Sequence, residues 1–388
     1  MSSYALLDGE PEVLDGDRTF VATARAWTSA SPPAPPRRPE ATSAAMRALT
    51  FRGPDDLVWD ERPDVRLGGD GEAIVRPLAV ATCDLDDLIV RGRSPFAPPF
   101  VLGHEGVAEV VEVGDRVASV RPGDRVVVPF QISCGACVAC RQGRTGNCES
   151  VPFGATYGFG DGPEGTRWGG FLADLVHVPY ADAMLVPVPE GLAPEVAAGV
   201  SDNLTDAYRT VGPPLAARPG APVLVVGGAV PGSIGLYAAA QALALGSEHV
   251  LYVDRDPGRR AIAEAYGAST LDHIPDRLDR SFPVTVDASA SIRGLELALS
   301  SLDRDGVCTS TGIYFDPAQQ PRMPVLAMYL RSTTFVTGRI HARRDAPRVL
   351  ELLASGAFDP TPVTTEVVAF DDAPAALTEH AYTKLVFT

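Results

Sequence analysis

Four cysteines within a short stretch constrain this 388-residue chain more than any other feature. They form the pattern C-x2-C-x2-C-x7-C and are Cys134, Cys137, Cys140 and Cys148. Four thiolates at such spacings can close tetrahedrally around one Zn²⁺ at about 2.3 Å per bond, leaving no position for a substrate. Two disulfides are the alternative, but a chain with six cysteines and no recognisable signal peptide is not typical of secreted proteins. We therefore expect a structural zinc lobe at residues 131–150.

The two remaining cysteines lie in different surroundings. Cys308 belongs to an apolar run that predicts a buried strand, where a free cysteine is usually a small hydrophobic residue. Cys83 follows the strand-like run Ala73–Pro77 and precedes the triplet Gly103-His104-Glu105. A catalytic zinc needs a thiolate, an imidazole and a carboxylate from separate segments, with one coordination place left for water or substrate. The spacing alone is weak evidence for such a site.

A glycine-rich segment indicates a nucleotide site. The β-branched run at 222–228 ends in glycine and is followed by the helix-prone stretch Ile234–Leu245. The next strand, Val250–Val253, leads into Asp254, at the distance where a carboxylate binds the ribose of a dinucleotide. The loop fits G-x-G-x-x-G in no register and is longer than the standard turn. The expected cofactor contacts are Gly227, Gly228, Gly232, Ser233, Ile234, Gly235, Asp254 and Arg255.

Strands and helices continue to alternate after this unit. Strand-like runs are found at 284–287, 306–313 and 333–340, and a helical stretch at 292–302. This alternation predicts a parallel α/β domain. A nicotinamide dinucleotide is the expected ligand, although a parallel α/β domain of another kind remains the alternative.

From Met46 to Thr388, the chain resembles the zinc-dependent medium-chain alcohol dehydrogenases. The resemblance rests on the motifs at 103–106, 114–117 and 121–126 and on the cysteine lobe that follows them. It implies an α/β protein with a GroES-like, partly open β-barrel catalytic domain and an inserted Rossmann domain with a doubly wound parallel sheet. The expected boundaries are 46–203 and 341–388 for the catalytic domain and 204–340 for the Rossmann domain.

The resemblance also implies a catalytic zinc site. Cys83 and His104 match the first two ligands, and Asp202 stands where the family has a cysteine or an aspartate. Asp202 would be the ligand, as in the formaldehyde-dehydrogenase-like branch, although it could instead cap a helix at Leu204–Val211. Glu105 would be a direct ligand, a carboxylate behind the ligands, or a buried salt-bridge partner.

One position departs from the family pattern. The usual signature is C-x-[S/T]-D, whose hydroxyl begins the relay that takes the alcohol proton to solvent. Asp86 matches the final aspartate, but Leu85 replaces the hydroxyl residue and cannot carry a proton. The proton would need another route, through Asp84, Asp86, Glu105 or a zinc-bound water.

These assignments imply a zinc-dependent oxidoreductase that transfers hydride between an alcohol or carbonyl substrate and a nicotinamide. Zinc would act as a Lewis acid on the substrate oxygen. We expect two zinc ions per chain and NAD, with NADP as the alternative. The expected pocket residues are Leu85, Phe130 and Trp168.

Two other functions are considered. The first is an NAD(P)H-dependent 1,4-reductase of conjugated carbonyls or iminium ions. It is considered because Leu85 replaces the relay hydroxyl, as in some relatives that perform this reaction. The second is a non-catalytic protein that binds nucleotide and zinc on the same fold. The presence of Cys83, His104 and Asp202 favours catalysis, since a degenerate scaffold would be expected to lose these ligands first.

Composition narrows the range of partners. A formal charge of −16 and a pI near 4.8 argue against nucleic acid and anionic membranes, which bind cationic surfaces. The chain has no apolar run of the ~20 residues that a transmembrane helix requires. Residues 1–45 include a proline-rich stretch and are expected to form a disordered extension. We expect a cytoplasmic homodimer or homotetramer that acts on a small molecule.

Overall fold

The computed structural model describes residues 45–160, 168–315, 320–379 and 381–388. Apart from Ala45, which begins the first strand, the expected extension at 1–45 lies outside the described residues. Within the described part of the chain, no helix is both long and apolar enough to cross a membrane.

Two sheets contain the strands of the first part of the chain, and the second of them also includes two C-terminal strands. The first contains β1 (Ala45–Gly53), β2 (Asp56–Pro63) and β4 (Phe100–Val101) in the order β2-β1-β4. The second contains β3 (Ala73–Ala81), β5 (Glu105–Val113), β6 (Arg125–Val128), β7 (Val176–Val178), β8 (Val186–Pro187), β15 (Glu366–Val368) and β16 (Leu385–Phe387). Its order is β15-β16-β3-β5-β6-β8, with β7 paired to β3.

The third sheet is entirely parallel. Its strands are β9 (Val223–Val226), β10 (Val250–Val253), β11 (Ser269–Leu271), β12 (Phe282–Asp287), β13 (Leu302–Ser310) and β14 (Thr334–Val336). Their order, β11-β10-β9-β12-β13-β14, is that of the doubly wound dinucleotide-binding fold. Strand β9 is a continuous run of valine and leucine that is buried throughout, as expected when helices cover both faces of a parallel sheet.

Eleven α-helices connect these strands in the described part of the chain. They are α1 (Asp86–Val90), α2 (Val138–Arg141), α3 (Ala181–Met184), α4 (Pro194–Ala197), α5 (Asn203–Ala217), α6 (Ser233–Ala244), α7 (Pro257–Tyr266), α8 (Ile292–Ser300), α9 (Val325–Arg331), α10 (Ala342–Ala354) and α11 (Ala373–Glu379). Short 3₁₀ helices occur at Thr145–Asn147, Ala198–Ser201, Thr361–Val363 and Phe370–Asp372. Helix α10 packs in the same apolar cluster as α5, α6 and β9. The expected domain boundaries at 203/204 and 340/341 stay predictions.

Three neighbouring strands bring distant parts of the chain together at one end of this sheet. Ala81 of β3 pairs with Glu105 of β5 on one side and with Val386 of β16 on the other. Cys83, His104 and Lys384 therefore lie just beyond adjacent strand ends. The register of this sheet assembles the candidate site described next.

Candidate active site

His104 lies at the centre of a buried cluster of possible metal ligands. It is fully buried, and neither ring nitrogen has a hydrogen-bond partner. The nearest carboxylate oxygens are Oδ1 of Asp86, 3.7 Å from Nδ1, and Oδ2 of Asp202, 3.4 Å from Nε2. Both distances are long for a hydrogen bond. Buried imidazole nitrogens are normally bonded, so this ring is arranged for a ligand other than a protein hydrogen bond.

Two groups of potential ligand atoms share this histidine. Cys83, Asp86 and His104 form one group, and His104, Glu105 and Asp202 form the other, with all ligand atoms in each group within 4.8 Å of one another. The expected set of ligands is thus brought together, although Cys83 and Asp202 fall in different groups. Burial and the nearby carboxylates raise the pKa of the Cys83 thiol well above its ordinary value. A cation would offset this concentration of acidic groups, so the donor set fits zinc.

The helix-cap alternative for Asp202 is not supported by its contacts. Asp202 occupies the position before α5, but its side chain makes no capping hydrogen bond. Its carboxylate faces His104 instead. The side chain is therefore available to a metal ion.

Glu105 forms a buried ion pair that links the site to the C-terminal segment. Lys384 Nζ donates to Glu105 Oε2 at 2.7 Å, and both residues are almost completely buried. With its amide nitrogen facing the carboxylates, Asn203 donates to Glu105 Oε1 at 2.8 Å and to Asp202 Oδ2 at 3.2 Å. Burial raises the pKa of Glu105 well above its ordinary value against the attraction of Lys384. The salt-bridge role considered for Glu105 is thus present.

Aromatic rings form an apolar wall beside His104. The ring centroid of Phe159 lies 4.3 Å from that of His104, and that of Phe130 lies 5.8 Å away, edge to face. Phe130 therefore lies where a pocket residue was expected, while Phe159 was missed. Trp168 and Leu85 are partly buried against the core of the first part of the chain. The backbone N–H of Leu85 donates to Cys83 Sγ at 3.1 Å.

The four-cysteine lobe forms a second, separate cluster. All four cysteines are free, so none is in a disulfide. Their sulfur atoms lie within 4.8 Å of one another, a limit that includes the sulfur–sulfur distance of about 3.8 Å required by a tetrahedral zinc with 2.3 Å bonds. Backbone N–H groups point at the sulfurs, as from Cys137 to Cys134 Sγ at 3.3 Å. Burial raises the pKa of Cys134, but the hydrogen bond with the Ser150 hydroxyl and those from the backbone outweigh burial and lower that pKa to about 6. The lobe therefore fits a zinc ion held by thiolates.

The glycine-rich loop connects β9 to α6 as expected. Gly232 precedes α6 in the left-handed region, with φ of 95°, which favours glycine. A Cβ atom on Gly227 would lie 2.6 Å from the Tyr252 hydroxyl and 2.9 Å from Asp254 Oδ2, so a side chain here is excluded. The absence of a side chain at Gly227 thus lets Tyr252 and Asp254 lie close to the end of β9. Ser233, Ile234 and Gly235 form the first turn of that helix.

Asp254 directly follows β10 as expected, but its carboxylate is already bonded to other side chains. Arg259 donates to Oδ2 at 2.8 Å and to Oδ1 at 3.0 Å, and Tyr252 donates to Oδ2 at 2.7 Å. The Asp254 side chain is fully buried, and Arg259 also donates to the carbonyl of Pro231 in the glycine-rich loop. Arg259 therefore offsets the charge of this carboxylate, and the expected contact of Asp254 with the ribose stays a prediction. Arg255 is exposed.

The carboxylate of Asp84 contacts the first turn of α6. Its Oδ1 accepts from the backbone N–H of Ser233 at 2.8 Å and from the Ser233 hydroxyl at 2.6 Å, and its Oδ2 lies 3.4 Å from the N–H of Ile234. Asp84 was considered only as a proton carrier, and no local sequence signal indicated this contact.

Comparisons with known proteins agree with this architecture. The family model for the alcohol dehydrogenase GroES-like domain matches residues 69–190. A Mycobacterium tuberculosis protein named "Probable zinc-binding alcohol dehydrogenase Rv1895" is 30% identical over 340 residues, which cover 84% of this chain and 83% of that protein. The glutathione-independent formaldehyde dehydrogenase of Pseudomonas aeruginosa is 36% identical over 59% of each chain.

A solved structure shows the same fold. Alcohol dehydrogenase TADH from Thermus sp. ATN1 has a TM-score of 0.77 and 29% sequence identity, covering 88% of this chain and 99% of its own. The expected family, fold class and enzyme class are confirmed. The chain belongs to the zinc-dependent medium-chain alcohol dehydrogenase family of oxidoreductases.

Proposed function

We propose that this protein interconverts an alcohol and its carbonyl compound with NAD(H), using one catalytic and one structural zinc ion. The observation that carries the proposal is the buried His104 ring, whose two nitrogens lack partners among a thiol and three carboxylates. Cys83, His104 and Asp202 would hold the catalytic ion, with Glu105 beside it. Cys134, Cys137, Cys140 and Cys148 would hold the structural ion.

The surrounding residues suit this reaction. Bound at His104, zinc would supply Lewis acidity toward the substrate oxygen. Phe130 and Phe159 would exclude water and contact the carbon skeleton of the substrate. Lys384 and Asn203 fix the Glu105 carboxylate in place. The start of α6 would receive the pyrophosphate of the dinucleotide, because the N–H groups of the first turn and the helix dipole favour an anion there.

We propose NAD(H) as the preferred cofactor. A carboxylate at the end of the second strand favours a free ribose 2′-hydroxyl over a 2′-phosphate. Arg259 offsets much of the charge of Asp254, so the preference should be modest.

The test is a screen of purified protein with measured zinc content against alcohols, aldehydes and conjugated carbonyls. NAD(H) and NADP(H) are each supplied, and turnover is read at the nicotinamide absorbance. Cys83→Ser is the paired variant, and Cys308→Ala is the control because Cys308 lies in β13, outside both ligand clusters. Activity retained in Cys83→Ser would refute the assigned site.

A second candidate reaction is the 1,4-reduction of a conjugated carbonyl or iminium ion. It is favoured by Leu85, whose apolar side chain packs partly buried against the core where the family has a relay hydroxyl. Alcohol oxidation must release a proton from the substrate oxygen, whereas 1,4-reduction delivers one to carbon. The reaction products distinguish the two candidates.

A further inference from the structure

Helix α6 begins where a dinucleotide pyrophosphate would bind, yet a carboxylate of the protein is already there. The helix follows β9, the central strand of the parallel sheet, and its own N-cap residue, Gly232, has no side chain to cap it. The anion comes from Asp84, 149 positions before Ser233. Asp84 accepts from the backbone N–H and hydroxyl of Ser233, and its second oxygen faces Ile234.

These donors are the groups that an incoming pyrophosphate would use. Backbone N–H groups in the first turn of a helix bind phosphate oxygens, and a carboxylate offers the same kind of acceptor. Asp84 is only partly buried, so its side chain can leave the helix without unpacking the core. If it stayed, its negative charge would lie against a group of the same sign.

We propose that Asp84 is an internal competitor of the dinucleotide, which must displace this carboxylate from the start of α6 in order to bind. The inference rests on the proposed function, because it takes the ligand to be a nicotinamide dinucleotide. Asp84 thereby lowers the affinity for the cofactor.

The test measures the dissociation constant of NADH by nicotinamide fluorescence and by calorimetry, without substrate. Asp84→Asn keeps an acceptor oxygen at the helix but removes the charge, so it should bind NADH about tenfold more tightly than the wild type. Asp84→Ala removes the contact and should show the same direction. The zinc content of each variant is measured alongside, because Cys83 is adjacent.

Asp182→Asn is the matched control. Asp182 likewise accepts hydrogen bonds from two backbone N–H groups, of Ala118 and Ser119, and from the Ser119 hydroxyl. It lies outside the glycine-rich loop. Its NADH dissociation constant should equal that of the wild type. Thermal unfolding gives a second readout: saturating NADH should raise the midpoint more in Asp84→Ala than in the wild type, because tighter binding stabilises the folded state more.

The possible outcomes separate the two proposals. Equal dissociation constants in wild type and both Asp84 variants would overturn the competitor role while leaving the proposed function intact. If neither the wild type nor any variant binds NADH or NADPH, the proposed function fails and this inference fails with it. Binding by the Asp84 variants alone would support both.

Discussion

The Nζ atom of Lys384 donates a hydrogen bond to Oε2 of Glu105 at 2.7 Å, although 279 positions separate the two residues. The pair is almost completely buried. It links the residue before β16 to β5, at the end of the sheet where Cys83 and His104 lie. Stability and the geometry of the candidate site therefore depend on the same contact.

We predict that Lys384→Met will destabilise the protein by about 3–5 kcal/mol, because removing one partner leaves a buried charge unpaired. The double variant Lys384→Met with Glu105→Gln should recover part of that loss. Urea denaturation of the zinc-loaded protein measures both. The control is Arg348→Met, which removes an exposed ion pair at the same 2.7 Å distance and should have no measurable effect. A Lys384→Met variant as stable as the wild type would disprove the structural role of the pair.

The two cysteine clusters should respond differently to substitution. Wild-type protein should contain close to two zinc ions per chain. Cys83→Ser should lose activity while keeping the fold, whereas Cys137→Ser should lose one zinc ion and unfold more readily, because structural zinc binding contributes folding free energy. Elemental analysis and thermal unfolding provide the measurements. A wild-type count of one ion would contradict the assignment of two sites.

Cofactor selectivity should depend on the pairing of Asp254 with Arg259. Arg259→Gln removes the positive charge and exposes a 2′-phosphate to the carboxylate, so the ratio of kcat/KM for NAD over NADP should rise by about tenfold. Arg218→Gln is the control, since Arg218 precedes β9 at the opposite end of the sheet. Two results would show that Asp254 does not determine cofactor selectivity. One is an unchanged kcat/KM ratio in Arg259→Gln. The other is equal kcat/KM for NAD and NADP in both the wild type and Asp254→Asn.

The sequence predicted what depends on local pattern and missed what depends on distant pairing. Val250–Val253 is a strand as expected, because a short apolar run between turn signals usually forms a buried strand in an α/β domain. The helix expected at Leu204–Val211 continues to Ala217 through Pro213 and Pro214. Proline disfavours a helix interior, but the buried packing of α5 outweighs that local preference.

The partners in the site had no local signal at all. Nothing near Glu105 indicates that Lys384 will face it, since the contact arises from the pairing of β16 with β3. The same holds for Asp84 and Ser233, which follow strands of two different sheets. Arg259 could have been suspected, because it lies one turn into the helix that follows Asp254.

A pH effect should arise where the cysteine lobe contacts α10. His341 Nδ1 accepts a hydrogen bond from the backbone N–H of Gly146 at 3.1 Å, which requires neutral imidazole. Burial and the positive charge of Arg344 lower the pKa of His341 below 6.5. Below about pH 6.5 the unfolded chain therefore binds more protons than the folded protein. The stability contributed by this hydrogen bond is thus present above about pH 6.5 and is lost as the pH falls.

We predict that His341→Asn will lose less stability than the wild type when the pH falls from about 7.5 to about 5.5, a range around the ordinary histidine pKa of about 6.5. The asparagine side-chain oxygen can replace the imidazole nitrogen as acceptor, and it does not titrate. Thermal unfolding of both proteins across this range measures the difference, and protonation of the zinc thiolates affects both alike. His273→Asn, at an exposed position, serves as the control. Parallel curves for wild type and His341→Asn would show that the contact does not titrate.

The missing relay hydroxyl at Leu85 distinguishes the two candidate reactions. If alcohol oxidation is the natural reaction, Leu85→Ser should speed it and shift its pH profile, because a positioned proton-transfer group typically contributes about 10²–10⁴-fold. If 1,4-reduction is natural, the same change should leave or lower that activity and divert product toward the allylic alcohol. Leu85→Ala controls for the loss of side-chain volume, since it removes the apolar contact without adding a hydroxyl.

A conjugated aldehyde is the substrate, with products separated by chromatography. Saturated aldehyde from the wild type would overturn the alcohol dehydrogenase proposal, and allylic alcohol from both wild type and Leu85→Ser would eliminate the 1,4-reductase, because proton delivery to carbon would then take place in neither protein.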